Sequence, residues 1–181
     1  MSGRRFCINQ RLIHRTCHQL PLSNLCRNNL VIKQNLDPTL LQAANYKHHI
    51  QQDTQFGDMD ALGHVNNLTV SRYYESARAR WQMEFFGQTL YQTKNPTRIV
   101  LAETNTRYLD DIHFPETLQL ASGISHIGNS SYVCSQALFR QQKCIDYCEA
   151  ILVHTLDGKP VLVSNNIKKK MLTYVISNSQ S

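Results

Sequence analysis

The sequence predicts an α+β domain in which one long helix lies across an antiparallel sheet. Three observations carry this: one stretch with helical periodicity after residue 66, four later runs with strand-like alternation, and short turn-forming links between the last three of those runs. A chain of 181 residues has the length of one domain with a tail. Its 41% hydrophobic and 18% charged residues supply a core and exclude a wholly disordered chain. No apolar run approaches the roughly 18 residues needed to cross a bilayer, so no membrane span is expected.

Residues 1–45 differ in composition from the rest of the chain. They hold six Lys or Arg and a single acid, Asp37, so they carry +5 of the net charge of +6. The remainder is near neutral and lacks the basic stripe that a nucleic-acid partner requires. This segment reads as a basic, poorly ordered extension, with one helical turn expected after Asp37-Pro38, where Asp caps and Pro takes the first helical position. Arg4, Arg5, Arg11 and Arg15 also fit, loosely, an acid-poor transit peptide, which sets the mitochondrial matrix beside the cytoplasm as a location. The folded domain is expected over residues 46–176, with a polar tail at 177–181.

Residues 48–56 alternate weakly and read as the first strand. The turn-rich Gly57-Asp58-Met59-Asp60-Ala61-Leu62-Gly63 comes next. A helix then starts at Asn66-Asn67, both good cap residues. Val70, Tyr73, Tyr74, Ala77, Trp81 and Phe85 recur at three and four and predict one buried stripe, with Arg72, Arg78 and Gln82 on the other side. Gly87 ends the helix. Strands are expected at 98–108, 118–126, 132–141 and 144–156. The turns between them are marked by Phe114-Pro115-Glu116, Gly128-Asn129-Ser130 and Asp157-Gly158. Cys7, Cys17, Cys26, Cys134, Cys144 and Cys148 contain no CxxC pair and follow no secretory signal, so they read as reduced thiols. Cys144, Cys148 and His154 fit a strand better than a metal site. No metal or redox cofactor is expected.

The segment Asp58-Met59-Asp60-Ala61-Leu62-Gly63-His64-Val65-Asn66-Asn67, followed by a helix carrying Tyr73, Tyr74 and Glu75, resembles the signature of hotdog-fold thioesterases. Within these it is similar to the acyl-CoA thioesterases of the 4-hydroxybenzoyl-CoA thioesterase-like family. The resemblance spans residues 46–172 and includes the strand order and the Gly158-Lys159-Pro160-Val161 turn. It implies the hotdog fold, with the sheet wrapped around one central helix. It further implies hydrolysis of an acyl-CoA to free acid and CoA, in a homodimer or homotetramer with sites at subunit interfaces. Asp60 falls where that family keeps its catalytic carboxylate, and Asn67 where a helix-start N–H faces the thioester carbonyl. His64-Val65-Asn66-Asn67 matches the HVNN form of the motif. Plant acyl-carrier-protein thioesterases, similar around HVNN, carry Asn two residues after the Asp. Leu62 stands there in this chain, which favours the acyl-CoA branch.

The chemistry supports these assignments independently. Thioester hydrolysis needs a carboxylate to attack the carbonyl or activate water, and donors where the oxyanion develops. A helix start offers unpaired N–H groups and about half a positive charge. Asp60, His64 and Asn67 are therefore the catalytic candidates; His64 either orients Asp60, lines the pocket or merely bonds backbone. Asn66, Tyr74, Glu75 and Arg107 are the substrate-binding candidates. Asp58 reads as structural. Glu75 either reaches a neighbouring subunit's site or pairs with Arg72 or Arg78. Lys94, Arg98, Arg107 and the Lys168-Lys169-Lys170 run are candidates for the CoA phosphates. A dehydratase acting on 3-hydroxyacyl thioesters, using His64 with Asp60, and a non-catalytic acyl-CoA-binding module are the alternatives. A chain beginning near Tyr46 is expected to keep its turnover, because the resemblance starts there.

Overall fold

The computed structural model describes residues 37–92, 94 and 96–176. Two short 3-10 turns, Pro38–Leu41 and Ala43–Asn45, lead into strand β1 (His48–Asp53), and a third, Phe56–Asp58, precedes helix α1 (Asn67–Phe86). Strands β2 (Thr97–Tyr108), β3 (Thr117–Ile127), β4 (Ser131–Arg140), β5 (Lys143–Leu156) and β6 (Lys159–Pro160) follow, and helix α2 (Asn165–Leu172) comes last. The sheet runs β1-β3-β4-β5-β2, antiparallel throughout, with β6 added to the end of β5. This is the hotdog arrangement, and the consecutive strands β3, β4 and β5 are neighbours, as their short links require.

Local chemistry explains the boundaries. Asn66 caps α1 by accepting the Leu68 N–H at 2.8 Å. Gly87 leaves the helix at φ 94°, a conformation only glycine takes cheaply. The Asp157-Gly158 link has both residues at positive φ, 49° and 78°, the two-residue hairpin turn that matches strand twist. The first strand stops at Asp53, short of the expected residue 56, because Asp58 folds back to accept the Gln55 N–H and closes a 3-10 turn.

Two clusters form the core between α1 and the sheet. Val70, Tyr74 and Ala77 pack on Leu118, Leu120, Leu138, Ile145 and Cys148. Further along, Trp81 and Phe85 pack on Ile124, Tyr132, Cys134, Ala150 and Leu152, closed from the side by Met171 of α2. The expected stripe is therefore the buried one, except that Arg78 and Gln82, assigned to the solvent side, are only 6% and 2% exposed. Helix α2 corresponds to no expected element. Ser164 caps it, accepting from the Ile167 N–H, and its Lys168-Lys169-Lys170 run lies towards the end of the chain.

A third cluster, Tyr46, Ala121, Ala137, Phe139, Tyr147 and Ile176, occupies the opposite face of the sheet, with Leu40 and Ala43 packed against it. A Cβ on Gly123 would stand 2.5 Å from Ile176 Cγ1, so glycine lets the C-terminal segment lie directly on the sheet. The Tyr46 hydroxyl donates to Leu40 O at 2.7 Å, and Asn45 Nδ2 donates to Thr39 O at 2.7 Å. The boundary expected between residues 45 and 46 thus cuts through a packed segment. The turn expected after Asp37-Pro38 is present, with Asp37 capping it, whereas residues 1–36 and 177–181 of the expected extension and tail lie outside the described residues. Removing residues 1–45 uncovers apolar surface worth about 2 to 4 kcal/mol. The truncated chain is expected to unfold at a clearly lower temperature, and an unchanged Tm in a melting experiment would refute the packing role of Leu40 and Ala43.

Candidate functional site

The loop between β1 and α1 holds the candidate carboxylate by several independent restraints. Met59 and Val65 form an antiparallel bridge. The Asp60 N–H donates to His64 O at 3.0 Å and the Gly63 N–H to Asp60 O at 3.1 Å. The Val65 N–H donates to O of the buried Ile112 at 2.7 Å, which ties the loop to the core, and the Asn66 N–H donates to Asp58 O at 2.8 Å, which closes the loop on itself. Gly63 turns the chain at φ 86°. The Asp58 carboxylate accepts both the Gln55 N–H and the Tyr73 hydroxyl through Oδ2, which ties the loop to α1.

Asp60 is placed differently. Its Oδ1 accepts the Leu62 N–H at 2.8 Å, while Oδ2 lies 3.7 Å from His64 Nδ1, and both side chains keep access to solvent. His64 Nδ1 also lies 3.5 Å from Val65 O, a distance too long for a firm bond. The loop histidine therefore stands beside the carboxylate without being committed elsewhere. His113 completes the support, its Nδ1 3.0 Å from Gly63 O.

Helix α1 starts immediately behind this loop. Asn66 is the cap, its Oδ1 accepting the Leu68 N–H. Among the described residues the Asn67 N–H donates to nothing, and it sits at the positive end of the helix dipole. A loop carboxylate and an open amide at a helix start are thus brought to one end of α1. Phe56, Leu62, Leu68 and Phe114 around them are exposed, with the Phe56 and Phe114 rings edge to face at 5.9 Å. Such a rim suits an apolar ligand or a second chain.

Other candidates fall elsewhere. Tyr74 is buried and donates to Asp146 Oδ1 at 2.6 Å, so it belongs to the core under α1. Glu75 is exposed on α1, and no ion pair with Arg72 or Arg78 forms among the described residues. Arg107 lies opposite Tyr147 in the β2–β5 register. Tyr147 belongs to the cluster on the face away from α1, so Arg107 points to that face and not towards the Asp60 loop of its own chain.

Two residues that sequence reasoning missed lie near the helix start. The Tyr108 hydroxyl, at the end of β2, bonds the Asn67 and Ser71 side chains, and partial burial raises its pKa. Asp146 faces Tyr108 in the register, is fully buried, and has no partner for Oδ2. Burial pushes its carboxyl up to about 7, against the opposing effect of the Tyr74 hydrogen bond. Tyr108 passes for an ordinary strand aromatic, whereas Asp146, a charged residue between Ile145 and Tyr147 in an apolar strand, breaks the pattern and is the available signal. Cys134, Cys144 and Cys148 are free thiols, and no group of metal-ligating side chains occurs among the described residues.

The sequence matches the thioesterase-like superfamily over residues 54–171. No curated protein matches the chain in sequence. Among solved structures, the PA5185 protein from Pseudomonas aeruginosa is 21% identical, with a TM-score of 0.69 over 77% of this chain and 99% of its own. A thioesterase from Thermus thermophilus, complexed with coenzyme A and Zn, is 23% identical, with a TM-score of 0.62 over 69% and 91%. The BH1999 gentisyl-coenzyme A thioesterase is 14% identical, with a TM-score of 0.62 over 68% and 99%. At these identities the likenesses establish the shared fold.

Proposed function

The chain belongs to the thioesterase-like superfamily, and on that premise we propose that it hydrolyses an acyl-CoA to the free acid and CoA. The observation that carries this reading is Asp60 on the loop that leads into α1, held by backbone bonds with Oδ2 beside His64 and with no N–H donor among the described residues, and the open Asn67 N–H at the helix start. Asp60 acts as base towards water or as nucleophile on the carbonyl carbon. The Asn67 N–H receives the developing oxyanion, a contribution worth about 3 kcal/mol in the barrier. Collapse of that intermediate breaks the C–S bond, and the leaving CoA thiolate takes a proton from solvent or from the Asp60 carboxyl that received it from water; on the nucleophilic route water then cleaves the acyl anhydride on Asp60, which releases the free acid and restores the carboxylate. His64, beside Asp60, orients the carboxylate.

Within the superfamily we place the chain with the 4-hydroxybenzoyl-CoA thioesterase-like enzymes, on the Asp60 and HVNN matches. A homodimer or homotetramer is part of the proposal. Residues 100–105 of β2 are exposed on both faces and the strand lies at the edge of the sheet, a template that a second copy covers by pairing. In such an assembly Glu75 and Arg107, remote from the loop of their own chain, can serve the site of a neighbour. The cytoplasm is the proposed location, or the mitochondrial matrix if residues 1–45 act as a transit peptide. No helix among the described residues is long and apolar enough to cross a membrane.

The test is a hydrolysis screen over CoA esters, aryl and alkyl and of graded chain length, with released thiol as the readout. Turnover on one class is the expected result. Hydration of an enoyl-CoA without thiol release would point to the dehydratase, and saturable binding without turnover to a binding module.

A further inference from the structure

The segment that follows β2 braces the Asp60 loop. The Leu109 and Asp110 N–H groups both donate to Ile145 O at 3.0 Å, which fastens the segment to β5. Arg140 grips it from the end of β4. Its Nη1 donates to Asp110 Oδ2 at 3.1 Å, its Nη2 to Asp111 O at 2.6 Å and to Glu116 Oε1 at 3.0 Å, and its Nε to Glu116 Oε2 at 2.8 Å. Held in this way, Ile112 O accepts the Val65 N–H at 2.7 Å and His113 Nδ1 lies 3.0 Å from Gly63 O. Residues 109–113 thus fix the loop that carries the base. Tyr108, the last residue of β2, directly precedes them and reaches the other half of the site.

The Tyr108 hydroxyl bonds the side chains of Asn67 and Ser71, which stand four apart on one face of α1. The Ser71 hydroxyl also donates to Asn67 O at 3.0 Å. The three residues therefore close a network around the first turn of the helix, the turn that contains the open Asn67 N–H. All three are exposed, Tyr108 by 40%, so the network stands at the surface where a ligand can arrive. The first N–H groups of a helix have no intrahelical partner, and helix ends fray. An oxyanion donor is effective only if it is already in place when charge develops. The cap bond of Asn66 and the Val65 bond to Ile112 fix the chain as far as residue 66. From Asn67 onwards, the side-chain network ties the first turn to the end of β2.

We infer that Tyr108 is a positioning residue, whose hydroxyl acts through Asn67 and Ser71 to hold the Asn67 N–H where the oxyanion forms. This rests on the thioesterase reading above. Because Tyr108 is continuous with the segment that holds Val65 and Gly63, it also keeps the donor in register with the Asp60 loop. Loss of the hydroxyl leaves the ring and that loop in place and loosens only the helix start, so it costs rate and not binding.

The experiment measures kcat, KM and Tm of the full chain for Tyr108→Phe, Ser71→Ala and the double variant, on the CoA ester that the wild type turns over best. Tyr108→Phe is expected to lower kcat by at least roughly tenfold with KM changed by less than about twofold, since the hydroxyl serves the transition state and not the bound ester. Its Tm should stay within about 4 °C of wild type, because one part-exposed hydrogen bond contributes little to the fold. Ser71→Ala should lower kcat in the same sense, and the double variant should be no slower than Tyr108→Phe, as both changes break one network. A kcat for Tyr108→Phe within about twofold of wild type overturns the inference. So does a raised KM at unchanged kcat, which would make Tyr108 a substrate contact, a larger fall in Tm, which would make it a fold contact, or fully additive losses in the double variant. If the wild type releases thiol from no CoA ester, the thioesterase reading fails and this inference falls with it. Wild-type turnover beside an unimpaired Tyr108→Phe leaves that reading intact and removes only the role of Tyr108.

Discussion

Asp60→Asn is expected to lower kcat by at least about 100-fold on whichever CoA ester proves a good substrate. Asn keeps the volume of the side chain and its Oδ1 can still accept the Leu62 N–H that fixes the loop turn. It removes the basic and nucleophilic oxygen that stands 3.7 Å from His64. The loss should therefore fall on kcat, with KM little changed where chemistry limits the rate. Asp58→Asn is the comparison. Its carboxylate is engaged by the Gln55 N–H and the Tyr73 hydroxyl, so that change should cost loop stability and much less turnover. Near-normal kcat in Asp60→Asn, or a greater loss in Asp58→Asn, would show that another group does the chemistry.

Asp146→Asn is expected to abolish a pH dependence of stability that the wild-type protein shows between about pH 4 and pH 7. Burial raises the Asp146 pKa from 3.8 to about 7, so in that window the folded chain holds a proton that the unfolded chain has released. Unfolding then releases a proton, and stability falls as pH rises through the window. Below it both states are protonated and the full contribution is present; above it the contribution is gone. A gap of this size corresponds to a loss of up to about 4 kcal/mol. Asp53 and Asp110, held below the ordinary carboxylate range by hydrogen bonds from Thr117 and Lys143, act in the opposite direction. The wild-type and variant curves share that background, so their difference isolates Asp146. Urea unfolding at pH 5 and pH 8 provides the measurement. The assignment fails if the two proteins lose stability in parallel between those values.

Most of the fold is legible in the sequence because its signals are local. The stripe Val70, Tyr74, Ala77, Trp81 and Phe85 repeats at helical spacing and is the stripe that meets the sheet. Asn66, Gly87 and Asp157-Gly158 mark ends and turns through backbone preferences that need no tertiary contact. The loop motif, too, can be read as a contiguous string, since Asp60, His64 and Asn67 lie within eight residues and the chain itself keeps them together.

What escapes the sequence is long-range. Arg78 and Gln82 look like solvent-side positions because polarity is the only cue a helical pattern offers. Only the arrival of Gln136 from β4 and of Tyr132 beside it makes them interior. Asp146 becomes a group poised to titrate near neutral pH because folding buries it, against the opposing hydrogen bond from Tyr74, 72 residues away in sequence. Residues 37–45 are too short a stretch to show a core pattern, yet the cluster on the outer face of the sheet gives Leu40 and Ala43 something to cover. The charge of Arg107 suggests a neighbour of the site, but strand alternation and the register with Tyr147 send it to the other face. By itself the sequence determined α1 with its two ends, the four later strands and the loop that carries Asp60, since each rests on the conformational preferences of adjacent residues. Tertiary structure alone decided which polar side chains are buried and which face of the sheet each strand residue meets, because burial and register depend on segments that meet only after the chain has folded.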